Sequence, residues 1–128
     1  MIRYLETDDL VCLAREMGIQ RIRDKGILTS AVARAKATVM GDEIYPDLET
    51  KAAALFQTLV TGKPLVGGNT RLAWYSLTVF LALNRVSVMM DSDDVIQLVG
   101  EVASGGVVSV HDIAARLPTA LSSRVPKP

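Results

Sequence analysis

The sequence predicts an all-α domain, and three observations carry that prediction. Successive segments place apolar residues at three- and four-residue spacings behind helix-capping residues. One of them, "LAWYSLTVFLAL" at 72–83, is apolar almost all round, as a helix enclosed by others would be. The β-prone stretches are short, confined to 39–45 and 86–90. A chain of 128 residues, 49% hydrophobic and 22% charged, suits a single compact domain.

Taken in order, Thr7 is placed to cap a first helix, "TDDLVCLAREMG", with Asp8 and Asp9 at the positive end of its dipole and Gly18 as its stop. Leu10, Leu13, Ala14 and Met17 form its buried face, and Cys12 among them reads as a core thiol. A second, shorter helix runs from about Gly26 to Ala35. Between Val39 and Tyr45, "MGDE" offers turn chemistry between β-prone neighbours and predicts a short hairpin or flap. Asp47 caps a third helix, rich in alanine, that reaches Thr61 before Gly62. The fourth helix starts at Gly68 or Asn69, ends near Asn84, and is expected to be the buried centre of a bundle of about six helices. "VSVMM" at 86–90 reads as a strand suited to pair with "IRYL" at the N-terminus, with Met89 and Met90 in the core. Asp91 opens a fifth helix that Gly105 closes, and Ser109 with Asp112 has the spacing of a capping box for a sixth. "PTALSSRVPKP" holds too little apolar surface to be ordered by itself, which divides the chain into a domain at 1–117 and a flexible tail at 118–128. No internal repeat is present.

Charge and cysteine usage narrow the function classes. Lysine plus arginine and aspartate plus glutamate both number 14, so the general electrostatic case for a nucleic-acid or anionic-membrane partner is absent. One cysteine forms no internal disulfide, and the start "MIRYLETDDL" lacks the basic and apolar regions of a signal peptide, so the cytoplasm is the expected location. No apolar stretch reaches the ~18 residues that span a bilayer.

The stretch "TGKPLVGGNTRLAW" at 61–74 carries the chemistry. A helix N-terminus attracts anions through its free amides and its dipole. Gly67 and Gly68 allow close backbone approach, Asn69 either caps the helix or donates to a ligand, Arg71 supplies a planar fork, and Lys63 flanks from the other side. A Walker A loop is excluded, because Gly68 and Asn69 stand where its lysine and serine or threonine belong. The plain alternative is an ordinary turn and cap. His111 at a helix start reads as structural, the run Asp91, Asp93 and Asp94 as ordinary first-turn acids, and one histidine without a cysteine cluster argues against zinc.

The segments "RDKGILTSAVARAKA" and "YPDLETKAAAL", the glycine–asparagine–arginine motif, and the "DD" helix, in this order from Tyr4 to Leu117, resemble the Doc (death on curing) toxins of the Fic superfamily. The resemblance implies a small helical protein encoded beside a Phd-type antitoxin. It also implies transfer of a phosphate or nucleotide-derived group to a hydroxyl of a translation factor such as elongation factor Tu. The family motif runs His-x-Phe-x-Asp-Gly-Asn-Lys-Arg: its histidine is the general base, its acidic residue holds magnesium, and the rest bind nucleotide phosphates. Position by position, the histidine becomes Lys63, the phenylalanine Leu65, the acidic residue Gly67 and the lysine Thr70, whereas Gly68, Asn69 and Arg71 match. By the same resemblance the flap residues Val39, Met40, Gly41, Asp42, Glu43 and Ile44 dock the target by strand addition.

Losing a positioned base removes about 10²–10⁴ in rate, and losing the carboxylate leaves magnesium without its anchor. Lys63 either replaces the histidine as the catalytic base, which needs burial to depress its pKa, or stays protonated and binds an anion. Three readings stand: a toxin with altered transfer chemistry, an inactive pseudoenzyme that binds a phosphate-containing ligand or an antitoxin, and a purely structural partner. ATP or another nucleotide suits the cradle, magnesium does not, and homodimerisation stays open.

Overall fold

In a computed structural model the described residues are 1–106 and 109–121. Helix α1 (Thr7–Glu16) starts one residue earlier than expected, because Glu6 rather than Thr7 is its N-cap. The Glu6 amide donates to Asp9 Oδ2 at 2.8 Å, and the Thr7 hydroxyl instead meets that of Thr29 at 3.0 Å. Thr29 lies on α2 (Lys25–Ala35), where Asp24 caps by accepting from the Gly26 amide at 3.0 Å. Leu28, Ala31, Val32 and Ala35 form the buried stripe of α2.

The hairpin expected next is present as β1 (Thr38–Val39) paired antiparallel with β2 (Asp42–Glu43). Met40 and Gly41 join them with φ of 52° and 84°, the doubly positive turn that matches the twist of a tight hairpin.

Helix α3 (Leu48–Gly62) is the most enclosed element: Ala52, Ala53, Ala54, Phe56 and Leu59 are all at 0% exposure. Its alanines let α2 pack on one side and α4 (Asn69–Leu83) on another. The position expected of α4 at the centre therefore belongs to α3. On α4, Leu72, Ala73, Ser76, Leu77, Phe80 and Leu81 are buried, whereas Trp74, Tyr75 and Thr78 are half-buried and Arg71 is exposed. The apolar count that favoured α4 included rings with wet edges.

After α4 the chain reverses at Arg85, with φ 66°, into β3 (Val86–Val88). β3 pairs antiparallel with β4 (Thr119–Leu121), which corrects the pairing expected with the N-terminus. The N-terminal segment is tied down by a side chain instead: Asn84 Oδ1 accepts from the Arg3 amide at 2.8 Å and its Nδ2 donates to the Arg3 carbonyl at 2.9 Å. Residues 119–121 of the segment expected to lack structure are thus a strand, and its remainder, 122–128, lies outside the described residues. Met89 is 66% exposed and so not a core residue, whereas the half-buried Met90 packs against the core, and Cys12 is exposed.

Helices α5 (Ser92–Ala103) and α6 (Val110–Ala115) complete the bundle, and Ser109 Oγ caps α6 by accepting from the His111 and Asp112 amides at 3.1 and 3.3 Å. Among the described residues no helix is long and apolar enough to cross a membrane.

Candidate anion cradle

The cradle lies at the junction of α3 and α4, and a segment that the sequence reading overlooked builds one wall of it. Lys63 ends α3 in the left-handed region, with φ 53° and its amide bonded to the Leu59 carbonyl at 3.3 Å. The Arg23 guanidinium covers this end, donating from Nε to the Lys63 carbonyl at 3.0 Å and from Nη2 to the carbonyls of Gly62 and Lys63. A cation over the last carbonyls complements the negative pole of α3. The Arg23 and Asp24 amides donate to the Pro64 carbonyl at 2.7 and 2.9 Å, and the Val66 amide donates to the Arg21 carbonyl at 3.2 Å. Ile22 and Leu65 bridge between these bonds, so residues 21–24 run beside the motif loop and carry Arg21 to the cleft.

Asn69 holds this loop together. Its Oδ1 accepts from the Leu65 amide at 2.7 Å and its Nδ2 donates to the Leu65 carbonyl at 3.0 Å. Both ends of the amide are thereby engaged, and Leu65 is held as a buried plug with 1% exposure. The N-cap of α4 is Gly68 instead, at φ 83°, and its carbonyl accepts the first helical bond from the Leu72 amide at 2.9 Å. The amides of Asn69, Thr70 and Arg71 precede that bond and have no intrahelical acceptor.

Beside this helix start lies a cleft of about 570 Å³ whose lining includes Arg21, Gly67, Gly68, Thr70 and Arg71. Arg71 folds back over the loop, its Nη2 3.8 Å from where a Cβ on Gly68 would stand. The lining contains two guanidinium groups and neither a carboxylate nor a histidine. The arrangement can bind an anion, and it offers no proton acceptor.

Lys63 is exposed and outside the lining, so the burial needed to tune it into a base is missing. Space above Gly67 is open, with nothing within 4 Å of an added Cβ. Among the described residues no group of three or more histidine, cysteine, aspartate or glutamate side chains is placed to hold a metal ion. The cleft lining supplies no carboxylate to anchor magnesium. His111, Asp91, Asp93 and Asp94 are exposed and away from the cleft.

The hairpin residues Val39, Met40 and Ile44 are exposed, as a docking edge requires, and none of Val39–Ile44 lines the cleft. Glu43 is held by Lys51, twelve residues before Lys63 on α3, which corresponds to about 18 Å along the axis.

A second concavity was not foreseen. A groove of about 740 Å³ runs between α4 and α5, lined by Trp74, Tyr75, Val95, Ile96 and Val99 and sharing Thr70 and Arg71 with the cleft. Ile96 is 69% exposed. Its signal in the sequence was the second apolar stripe of α5, beside the buried Leu98 and Val102. On the α4 side the Tyr75 hydroxyl donates to Glu16 Oε1 at 2.7 Å, and that carboxylate keeps the phenol protonated above its ordinary range.

Comparison with known proteins matches residues 4–81 to the Fic/DOC family. A protein named Toxin Doc from Mycolicibacterium smegmatis (strain ATCC 700084 / mc(2)155) is 42% identical over 95 residues, which cover 73% of this chain and 73% of that protein. The matched family region contains the whole cradle, from Arg21 to Arg71.

Proposed function

The chain belongs to the Fic/DOC family, and from that premise we propose that it is the toxin of a toxin–antitoxin pair. In this reading it acts in the cytoplasm on a hydroxyl of a translation factor such as elongation factor Tu. Nucleotide phosphates sit on the free amides of α4, between Arg21 and Arg71. The observation that carries the reading is the cleft at the start of α4, where the left-handed Gly68 caps the helix and Arg71 lies over the loop. With Lys63 outside the cleft and Gly67 in place of the acidic residue, transfer relies on binding and orientation more than on a base.

The same lining favours a second reading, a pseudoenzyme that holds a phosphate-containing ligand without turnover. Incubation with labelled nucleotides and a lysate separates the two, since label on protein supports transfer and saturable binding without label supports the module. Arg71→Ala should weaken binding about ten- to a hundredfold, the loss of one charge-assisted hydrogen bond. Binding by Arg71→Ala equal to wild type refutes both readings. Lys63→Ala should leave binding nearly intact, and loss of labelling in that variant would identify Lys63 as the base after all.

A Phd-type antitoxin segment suits the groove between α4 and α5, where an apolar helix face would cover Trp74 and Ile96 and an acidic side chain would meet Arg71. Ile96→Asp should abolish copurification with the antitoxin encoded beside this chain while leaving nucleotide binding unchanged.

A further inference from the structure

Lys51 lies outside the cradle, yet it is the most unusual side chain in the core. It is 0% exposed in the second turn of α3, among alanines and leucines. Its Nζ donates to Glu43 Oε1 at 2.6 Å and to the Ala35 carbonyl at 3.4 Å, and it stands 5.5 Å from the centre of the Tyr4 ring.

Burying an ammonium group carries a heavy desolvation penalty, and well-packed apolar side chains commonly replace buried ion pairs without loss of stability. Stability alone therefore gives no reason for a lysine here. Position does. The partner Glu43 belongs to β2, in a hairpin of two residues per strand, too short to hold its shape unaided. The side chains of Val39 and Met40 are exposed and bury nothing that would fix the hairpin. Among the described residues three ion pairs are present, and Lys51–Glu43 is the one that reaches the hairpin. The other ties lie at its base: the Ile44 amide bonds to the Ala37 carbonyl at 3.0 Å, and the Arg34 guanidinium lies 5.5 Å from the Tyr45 ring centre.

We propose that Lys51 is a positioning residue, a buried charge on the rigid central helix that fixes the hairpin edge through Glu43. The inference extends to docking only if the hairpin receives a partner strand, as the proposed function has it. The placement of the hairpin by Lys51 does not depend on that reading.

The test needs neither nucleotide nor target, so its failure is distinguishable from failure of the toxin reading. Backbone ¹⁵N order parameters of Val39–Ile44 and the melting temperature are compared between wild type and the double variant Lys51→Met with Glu43→Gln, which removes the pair without leaving an orphan charge. The expected result is a fall in hairpin order parameters from about 0.85 to below about 0.6, with helix order and melting temperature kept or raised. Unchanged hairpin order overturns the proposal. A fall shared equally by α3 and α4 also overturns it, because the pair would then be holding up the fold. Should the double variant not fold, Glu43→Gln alone is read on the order parameters of the hairpin against those of α3 and α4, because the unpaired Lys51 ammonium lowers the melting temperature in that variant whatever holds the hairpin.

Discussion

Adjacent glycines with opposite demands give the sharpest test of the cradle. At Gly68 an added Cβ would stand 2.3 Å from Ile19 Cδ1, and the backbone is at φ 83°. An L-residue in the left-handed region costs about 1–2 kcal/mol. Overpacking costs about 1–3 kcal/mol, here at the low end because a terminal methyl of a half-buried side chain is the obstacle. Gly68→Ala should therefore lose about 2–4 kcal/mol, a fall in melting temperature on the order of 10 °C for a chain of this size. Gly67 has open space and no positive φ, so Gly67→Ala should stay within about 0.5 kcal/mol of wild type. Urea denaturation of both variants, with Ile19→Ala added to Gly68→Ala, separates the causes. Removing Ile19 should recover the steric part, about 1 kcal/mol as a coupling energy, and leave the backbone part. Equal effects at the two glycines, or no coupling to Ile19, would refute the close packing of residue 19 against the loop.

Further outcomes follow from the same junction and from the buried pair. Asn69→Ala strips both partners from the Leu65 backbone and should cost about 2 kcal/mol in urea denaturation, and a variant as stable as wild type would show the loop held by other means. Lys63→Gly relieves a left-handed lysine and should stabilise the fold by roughly 1 kcal/mol; destabilisation would mean that the side chain makes a contact of value. Burial by itself would lower the Lys51 pKa, but its hydrogen bonds to Glu43 and Tyr4 outweigh that and hold it above the ordinary 10.5. An amine raised on folding contributes stability that is complete below its unfolded value and lost as pH rises through the folded one. Thermal melts of wild type should thus fall more steeply above pH 10.5 than those of the Lys51→Met, Glu43→Gln variant, and parallel curves would refute this.

What was legible in the sequence was mostly local. Caps at Asp47, Asp91 and Ser109 mark helix starts because each precedes a run of apolar spacing, and the hairpin turn falls within "MGDE". The centre was assigned to α4 instead of α3 because periodicity counts apolar residues and does not register that alanines admit neighbours on every side. The β3–β4 pairing joins segments some thirty residues apart, and no spacing rule selects that partner over the N-terminus. At the cradle, the motif itself was readable, while Arg21 and Arg23 were not, since only the Ile22–Leu65 bridge brings their segment beside it. Asn69 was misassigned for the same reason: its acceptor and donor partners are on Leu65, four residues back across the loop.

The division of labour within the motif explains how a cradle persists without its chemistry. Its shape rests on Gly68, which alone fits beside Ile19, on Asn69, which clamps Leu65, and on Arg23, which closes the end of α3. None of these side chains can take a proton from a hydroxyl. Gly67 and Lys63 carry little of that shape: Gly67 faces open space, and Lys63 contributes its backbone to the junction while its side chain is exposed. A side chain can be exchanged at these two positions with little effect on folding, because folding energy depends on packing and on satisfied buried polar groups. The proposed anion binding would use the backbone that sets the fold, whereas the proposed turnover would need side chains at positions on which the fold does not depend. The integrity of this junction is accordingly an argument for phosphate binding and carries no weight for catalysis, which labelled transfer alone can establish.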